Sequence, residues 1–223
     1  MWQDLSEARS LMDCYYTNIE FVFSNKCQKA CTYCYRVRYQ NEGPIFPMPP
    51  SDMERYLEVI IKYDLVEMPT TFELFGGDPM LDLSTLTEYL KVMAPYAKKI
   101  VFPTNGLILE NLHDDTIEEL IQTSNNTLSF SLSVDGPVED IQRPLSKFGK
   151  MQGFKQTRNW DRLFHIAEKF KSGFHPMLVF ENANRWFEIW DFFRKKASNL
   201  YLLEVRHPIA DLQNAVEGVY QIA

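Results

Sequence analysis

Short apolar runs alternate with helical patterns along most of this sequence, and that alternation restricts the fold more than any other feature. The runs lie at residues 19–23, 70–75, 99–102, 127–134, 174–180 and 201–205. Stretches with apolar residues at helical spacing separate them, beginning near residues 51, 84, 114, 160 and 186. Strands joined by crossover helices form parallel βαβ units. We therefore expect an α/β protein, either an open doubly wound sheet or a partial (β/α)6 TIM-like barrel with helices outside.

The first helical pattern has the clearest predicted start. Ser51 is followed three residues later by Glu54, as in a capping box. Apolar residues then recur at the spacing of one helix face: Met53, Tyr56, Leu57, Ile60 and Ile61. The sequence therefore predicts a helix capped by Ser51, with this apolar face packed on the sheet.

Polar or glycine-rich residues follow the ends of successive predicted strands. The cysteines follow the first strand, Gly76-Gly77 the second, Asn105-Gly106 the third and Asp135-Gly136 the fourth. Ligand sites of parallel α/β folds gather at the carboxyl ends of the strands. We therefore expect these features to meet in one site.

Three of the four cysteines form a compact motif with the spacing C-x3-C-x2-C: Cys27, Cys31 and Cys34. Three thiolates on one loop can bind three irons of a cubane iron–sulfur cluster, and the fourth iron then stays open unless Cys14 binds it. We expect Cys14 to be a small buried hydrophobe instead. From spacing alone, a structural zinc site and three unligated thiols remain alternatives, although zinc sites normally add a second cysteine pair or histidines.

Composition and charge exclude several classes of protein. The chain has 23 Lys and Arg residues against 30 Asp and Glu residues, a net charge of −7, which argues against nonspecific nucleic-acid binding. No stretch approaches the roughly 20 apolar residues that span a bilayer, and the start lacks a signal-peptide pattern. With its clustered cysteines, the chain is expected to be a cytoplasmic protein with no membrane partner.

The ordered motifs resemble those of the radical S-adenosylmethionine (radical SAM) enzymes. Tyr33 stands just before the last cysteine, and Gly76-Gly77-Asp78-Pro79, Thr104-Asn105-Gly106 and 131–137 follow in order. The resemblance covers about residues 19–208. The last two segments are most similar to the peptide- and protein-modifying branch, which includes the anaerobic sulfatase-maturating enzymes. The resemblance implies one radical SAM core domain over residues 1–223.

This resemblance implies a cofactor pair and a reaction. A 4Fe–4S cluster on Cys27, Cys31 and Cys34 would bind S-adenosylmethionine (SAM) and cleave it reductively to a 5′-deoxyadenosyl radical. The radical would abstract hydrogen from a substrate, for which the branch implies a peptide or protein, and a flavodoxin- or ferredoxin-like protein would donate the electron. Related enzymes often carry a C-terminal extension with further cysteines. No cysteine follows Cys34 in this sequence, so we expect the extension to be absent or to lie beyond residue 223.

By the same resemblance, the SAM-binding residues would be Tyr33, Gly76, Gly77, Asp78, Pro79, Asn105, Ser133, Asp135 and Arg143. The segment 76–79 would hold the methionyl amino group and Tyr33 would face the adenine. Ser133 would contact the ribose, with Asp135 on the same strand face. Arg143 would bind the carboxylate. No catalytic acid or base is assigned.

Each of these residues also has a structural interpretation. Segment 76–79 is also typical of a tight turn with a solvated acid, and the family more often has Glu than Asp at the position of Asp78. Asn105 before Gly106 is typical of a turn residue in the left-handed region. Ser133 and Asp135 suit a turn, and Arg143 suits the surface. An iron–sulfur electron carrier or sensor without SAM chemistry is the alternative function.

Overall fold

We describe the fold from a computed structural model of the 223-residue chain. It describes residues 16–31, 33–34, 47–138, 145–147, 150–152, 158–177 and 180–196. The strands in these residues are β1 (Tyr16–Ser24), β2 (Val66–Gly76), β3 (Ala97–Thr104), β4 (Leu128–Leu132), β5 (Leu145–Lys147), β6 (Lys150–Gln152) and β7 (Gly173–Phe174). The α-helices are α1 (Pro50–Lys62), α2 (Leu83–Met93), α3 (Asp114–Thr123), α4 (Trp160–Lys169) and α5 (Trp186–Arg194).

The main sheet is parallel, with the strand order β1-β2-β3-β4-β7. Sequence neighbours are therefore also spatial neighbours, and each connection in the sheet contains a helix, as expected for βαβ units. This confirms the predicted α/β class. The short antiparallel hairpin of β5 and β6 was not predicted, and the predicted strand 201–205 lies outside the described residues.

The two faces of the main sheet differ in burial. Alternate residues such as Phe21, Phe72 and Phe102 are buried and form one apolar core with the helices. On the other face, residues such as Glu20 and Glu73 are paired in register and are only partly buried or exposed. The buried face of the main sheet therefore forms the core of the fold, while the carboxyl ends of its strands carry the candidate site. No helix in the described part of the chain is long and apolar enough to span a membrane.

Three local predictions are wrong. Tyr56 and Ile61, expected on the packed face of α1, are 51% and 37% exposed, because the buried stripe of this helix is narrower than predicted. Ser51 does not cap α1: Pro49 is the N-cap, no side chain caps the helix, and Pro50 occupies the first turn, where its missing N–H costs nothing. The strand predicted over 174–180 is reduced to β7, Gly173–Phe174, and a 3-10 turn begins at Phe180. Pro176 has no N–H to donate to a strand ladder.

Candidate functional site

The loop that carries the cysteines begins as a continuation of the pairing between β1 and β2. Gly77 N donates to Ser24 O at 2.5 Å, and Asp78 N donates to Lys26 O at 2.8 Å. A Cβ on Gly77 would lie 1.9 Å from Lys26 O, and a Cβ on Gly76, whose φ is +119°, would lie 2.2 Å from Ser24 O. Because no side chain fits in this space, the glycine pair allows the second strand to hold the start of the cysteine loop.

The three motif cysteines form no disulfide within the described residues, and all are partly exposed. Cys34 N donates to Cys31 O at 3.1 Å, which closes a turn around the half-buried Tyr33. Lys29 N lies 3.5 Å from Cys27 Sγ and donates to it. Among the described residues, no three His, Cys, Asp or Glu side chains are grouped as a metal ion would require. Cys14 lies outside the described residues.

The chemistry of this loop fits an iron–sulfur cluster. Cysteine thiolates are the usual ligands of such clusters, and three of them lie within one short loop at the rim of the sheet. The adjacent Gln28 also has a buried Nε2 atom for which the described residues supply no hydrogen-bond acceptor. A buried donor of this kind normally has a partner, and the sulfur atoms of a cluster would supply one.

Asp78 turns its carboxylate into the protein. It is 1% exposed, and it accepts hydrogen bonds from Thr104 Oγ1 at 3.0 and 3.1 Å, Asn105 N at 3.1 Å and Met80 N at 3.1 Å. Burial raises the pKa of Asp78, while these hydrogen bonds and the charge of Arg158 act in the opposite direction. The described contacts of this carboxylate therefore join the turn after β2 to the end of β3.

Pro79, the last residue of the predicted SAM motif, begins a 3-10 turn over Pro79–Leu81 and is buried. The Asp78 carboxylate caps this turn by accepting from Met80 N. The backbone of Gly76 and Gly77 stays partly accessible at the rim.

Asn105 is 5% exposed and is hydrogen-bonded through both its backbone and its side chain. Its Oδ1 accepts from Leu107 N at 3.0 Å, and its Nδ2 donates to Gln28 Oε1 at 2.9 Å and to Cys27 Sγ at 3.7 Å. The left-handed backbone expected at Asn105 is wrong: the positive φ, +76°, belongs to Gly106. The structure thus brings Asn105 against the cysteine loop.

The sequence patterns did not reveal two candidate functional residues: Arg158, which contacts Asn105, and Glu110, which pairs with Arg158. Arg158 Nη2 donates to Asn105 O at 2.8 Å, and Arg158 Nε pairs with Glu110 Oε2 at 3.1 Å. The side chains of Arg158 and Glu110 are only 1% and 7% exposed. Burial raises the pKa of Glu110, and the charge of Arg158 opposes that effect. These two residues are 48 positions apart and belong to no motif, so only the fold could reveal the pair.

Ser133 and Asp135 lie where β4 ends. Ser133 is partly exposed, and its backbone N donates to Thr104 O at 2.8 Å. Asp135 is 0% exposed, and its Oδ1 accepts from Met177 N at 2.8 Å, which ties this turn to the segment after β7. The cysteine loop and the turns after β2, β3 and β4 therefore meet at one rim, as predicted. Arg143 lies outside the described residues.

Comparison with known proteins identifies relatives of this chain. Residues 21–176, more than half of it, match the sequence profile of the radical SAM superfamily. A probable GTP 3′,8-cyclase of Methanocaldococcus jannaschii is 26% identical over 137 residues, which are 60% of this chain and 42% of that protein.

Solved structures show a similar fold. The native structure of anSMEcpe with bound AdoMet and Cp18Cys peptide has a TM-score of 0.65 at 16% identity, over 92% of this chain and 58% of that one. The structure of BtrN in complex with AdoMet and 2-DOIA has a TM-score of 0.51 at 17% identity, over 74% and 58%. At these identities the similarity concerns the fold, and the chain spans less than two thirds of each of these relatives.

Proposed function

The chain belongs to the radical SAM superfamily, and from this premise we propose that it is a radical SAM enzyme that abstracts a hydrogen atom from its substrate. One observation carries the proposal: the segment that leads directly into the C-x3-C-x2-C loop, through Ser24 and Lys26, is hydrogen-bonded to the glycine turn after β2. When bound, a 4Fe–4S cluster supplies the electron that cleaves SAM into methionine and a 5′-deoxyadenosyl radical, which takes a hydrogen atom from the substrate.

In this proposal Cys27, Cys31 and Cys34 bind three irons of the cluster, and the fourth iron is left to SAM. Two features of the chain support the assignment. The three thiols are partly exposed on one loop, so an incoming cluster can reach them. Lys29 N and Asn105 Nδ2 already donate toward Cys27 Sγ, and metal ligands in proteins are commonly held by hydrogen bonds of this kind.

SAM would bind along the rim next to this loop, through the residues that the sequence motifs predict. Accessible backbone at Gly76 and Gly77 would accept hydrogen bonds from the methionyl ammonium, Tyr33 would face the adenine, and Ser133 would contact the ribose. Arg143 would pair with the carboxylate. Asn105, which the motifs also predict to bind SAM, contacts the cysteine loop at Cys27 and Gln28.

The buried carboxylates of this rim would shape the site from within. Asp78 fixes the turn that includes Pro79, and Asp135 fixes the turn after β4. Both residues therefore contribute to SAM binding by holding the backbone around it. A site with this support keeps the geometry that orients the two reacting molecules.

We propose a flavodoxin- or ferredoxin-like protein as the electron donor, a peptide or protein as the substrate, and the cytoplasm as the location. The peptide assignment is supported by similarity in fold to anSMEcpe, whose structure contains AdoMet and a peptide. Residues 1–223 would form a single radical SAM core domain.

The test is anaerobic reconstitution of the chain with iron and sulfide, followed by dithionite and SAM. We expect an absorption spectrum typical of a 4Fe–4S cluster and production of 5′-deoxyadenosine. A Cys31→Ala variant should lose the cluster, whereas Cys14→Ala, the matched control, should keep it. A wild-type cluster whose reduced electron paramagnetic resonance (EPR) signal does not change with SAM, and which produces no 5′-deoxyadenosine, would identify an electron carrier or sensor instead.

A further inference from the structure

The side chain of Asn105 is oriented toward the first cysteine of the motif. Its Nδ2 lies 3.7 Å from Cys27 Sγ, within reach of a hydrogen bond to sulfur, and 2.9 Å from Gln28 Oε1. The orientation of the amide is fixed because Leu107 N donates to Asn105 Oδ1 at 3.0 Å, and a backbone N–H can only donate. The amide group of Asn105 therefore presents its N–H donors to the cysteine loop.

The backbone of Asn105 is held by two buried groups of opposite charge. On one side, Asn105 N donates to the Asp78 carboxylate at 3.1 Å. On the other side, Asn105 O accepts from the Arg158 guanidinium at 2.8 Å. Both side chains are buried, so these charge-assisted contacts are weakly screened by solvent. The peptide groups around Asn105 are therefore fixed before any ligand binds.

A third group holds the arginine in place. Arg158 Nε pairs with Glu110 Oε2 at 3.1 Å in a pair with almost no exposure. Gly106 leaves the space for this arrangement, because a Cβ there would lie 3.0 Å from Arg158 Nη2 and from Leu163 Cδ2. A buried pair of this kind is costly to form and rarely adds net stability. Because Arg158 of this pair donates to Asn105 O, the pair can hold that residue in place.

We propose that Asn105 is a positioning residue: it donates an N–H to the Cys27 sulfur and so raises the reduction potential of the cluster. Asp78 and the Arg158–Glu110 pair hold Asn105 in this position. The inference rests on the proposed function, since it requires Cys27 to bind the cluster. Hydrogen bonds to cluster sulfurs stabilise the more negative, reduced state and so raise the potential. This contact is formed between protein atoms, so its effect is present before SAM binds.

The test is a redox titration of the reconstituted full chain without SAM, followed by the EPR signal of the reduced cluster. Asn105→Ala removes the donor, so at the wild-type midpoint the ratio of reduced to oxidised cluster should fall by up to about tenfold, equal to about 59 mV for one electron. Asn105→Asp should lower the ratio further, since it replaces the donor with a negative charge. The matched control is Asn111→Ala, which removes an exposed asparagine whose Nδ2 bonds to Leu107 O at 2.8 Å.

Each outcome decides the inference. Lower midpoints in both Asn105 variants, with Asn111→Ala at the wild-type value, support it. Unchanged midpoints in variants that hold a cluster overturn the inference. If Asn105→Ala does not fold, the midpoint of Asn105→Asp decides alone. Loss of the cluster from both variants also overturns it, because Asn105 would then be required for loading. If the wild-type chain binds no cluster, the proposed function fails first, whereas normal SAM cleavage with unchanged midpoints removes this inference alone.

Discussion

Two groups of charged residues join the same two parts of the molecule, and they differ in almost every physical respect. Both connect residues 110–114, at the start of α3, to residues 158–169, in and just before α4. The inner group is the buried pair Arg158–Glu110. The outer group surrounds Asp114, whose side chain is 25% exposed and contacts Arg162, His165 at 3.0 Å and Lys169 at 2.6 Å.

The surroundings of the two groups shift the pKa values of their carboxyl groups in opposite directions. Burial raises the pKa of Glu110. Hydrogen bonds from Lys169, His165 and Arg162 lower the pKa of Asp114. Solvent screens the outer group, so it contributes little to stability, whereas the inner pair is expensive to break and contacts Asn105. What distinguishes the inner pair is its contact with Asn105, next to the cysteine loop, although the outer group contains more ion pairs.

The largest expected effect comes from breaking the inner pair. Arg158→Met should lower the free energy of unfolding by about 3–5 kcal/mol, because the Glu110 carboxylate stays buried after losing its guanidinium partner. The double variant Arg158→Met with Glu110→Leu should recover much of this loss, since no unpaired charge remains. Urea denaturation of the three proteins measures both effects. Equal losses in the single and double variants would contradict the unpaired charge as the cause.

A smaller loss is expected at Asp78, which lies on the other side of Asn105. Asp78→Asn replaces a carboxylate that accepts from Thr104 and Asn105 with an amide that can donate, so about 1–3 kcal/mol of stability should be lost. Denaturant unfolding measures the loss. The matched control, Asp52→Asn on the exposed side of α1, should change stability little. A loss at Asp78 no larger than that of the control would mean that its buried hydrogen bonds do not stabilise the fold.

The pH dependence of stability should distinguish Glu110 from a solvated acid. Because the folded pKa of Glu110 is raised above the ordinary glutamate value of 4.5, the folded state binds more protons than the unfolded state between these two values. Stability contributed by this group is therefore full below about pH 4.5 and is lost as the pH rises through the folded pKa. Glu110→Gln should remove this decline. Melting curves from pH 4 to pH 8 measure it, and parallel profiles for the variant and the wild type would contradict the raised pKa.

Asp114 should have the smallest effect on stability, and its pH dependence should be opposite to that of Glu110. Its folded pKa is lowered, so its contribution to stability is present above the ordinary aspartate pKa of 3.8 and is lost as the pH falls through the folded pKa. Asp114→Asn should lower the melting temperature near pH 7 by on the order of 1 °C, and the difference should shrink in acid. High salt should also reduce it, because the group is exposed. A difference that grows in acid would contradict this sign.

The sequence predicted the parts of the fold that depend on local patterns. Strands such as β3 follow from apolar runs, and α4 follows from apolar residues at helical spacing. Local patterns failed where neighbouring residues compete: Pro49 and Pro50 replaced the expected cap at Ser51, and Pro176 limited β7. Those errors changed the bounds of elements but left the topology intact.

The candidate site was predictable in its location but not in its internal contacts. Strand-end motifs placed Cys27, Gly77 and Asn105 on one rim because parallel strands share their carboxyl edge. The direction of the Asp78 carboxylate and the Arg158–Glu110 pair depend on contacts between residues far apart in sequence. Spacing within a motif contains no information about such contacts.

The close approach at Gly77 has a consequence for how this protein can change over evolution. Any side chain at that position would overlap Lys26 O, in the segment that leads into the cysteine loop. A mutation at Gly77 is therefore tolerated only together with a shift of residues 24–26, which would also move Cys27, the first of the proposed cluster ligands. We expect the two segments to co-vary among homologues, and a graft of the cysteine loop onto another scaffold to need the glycine turn as well.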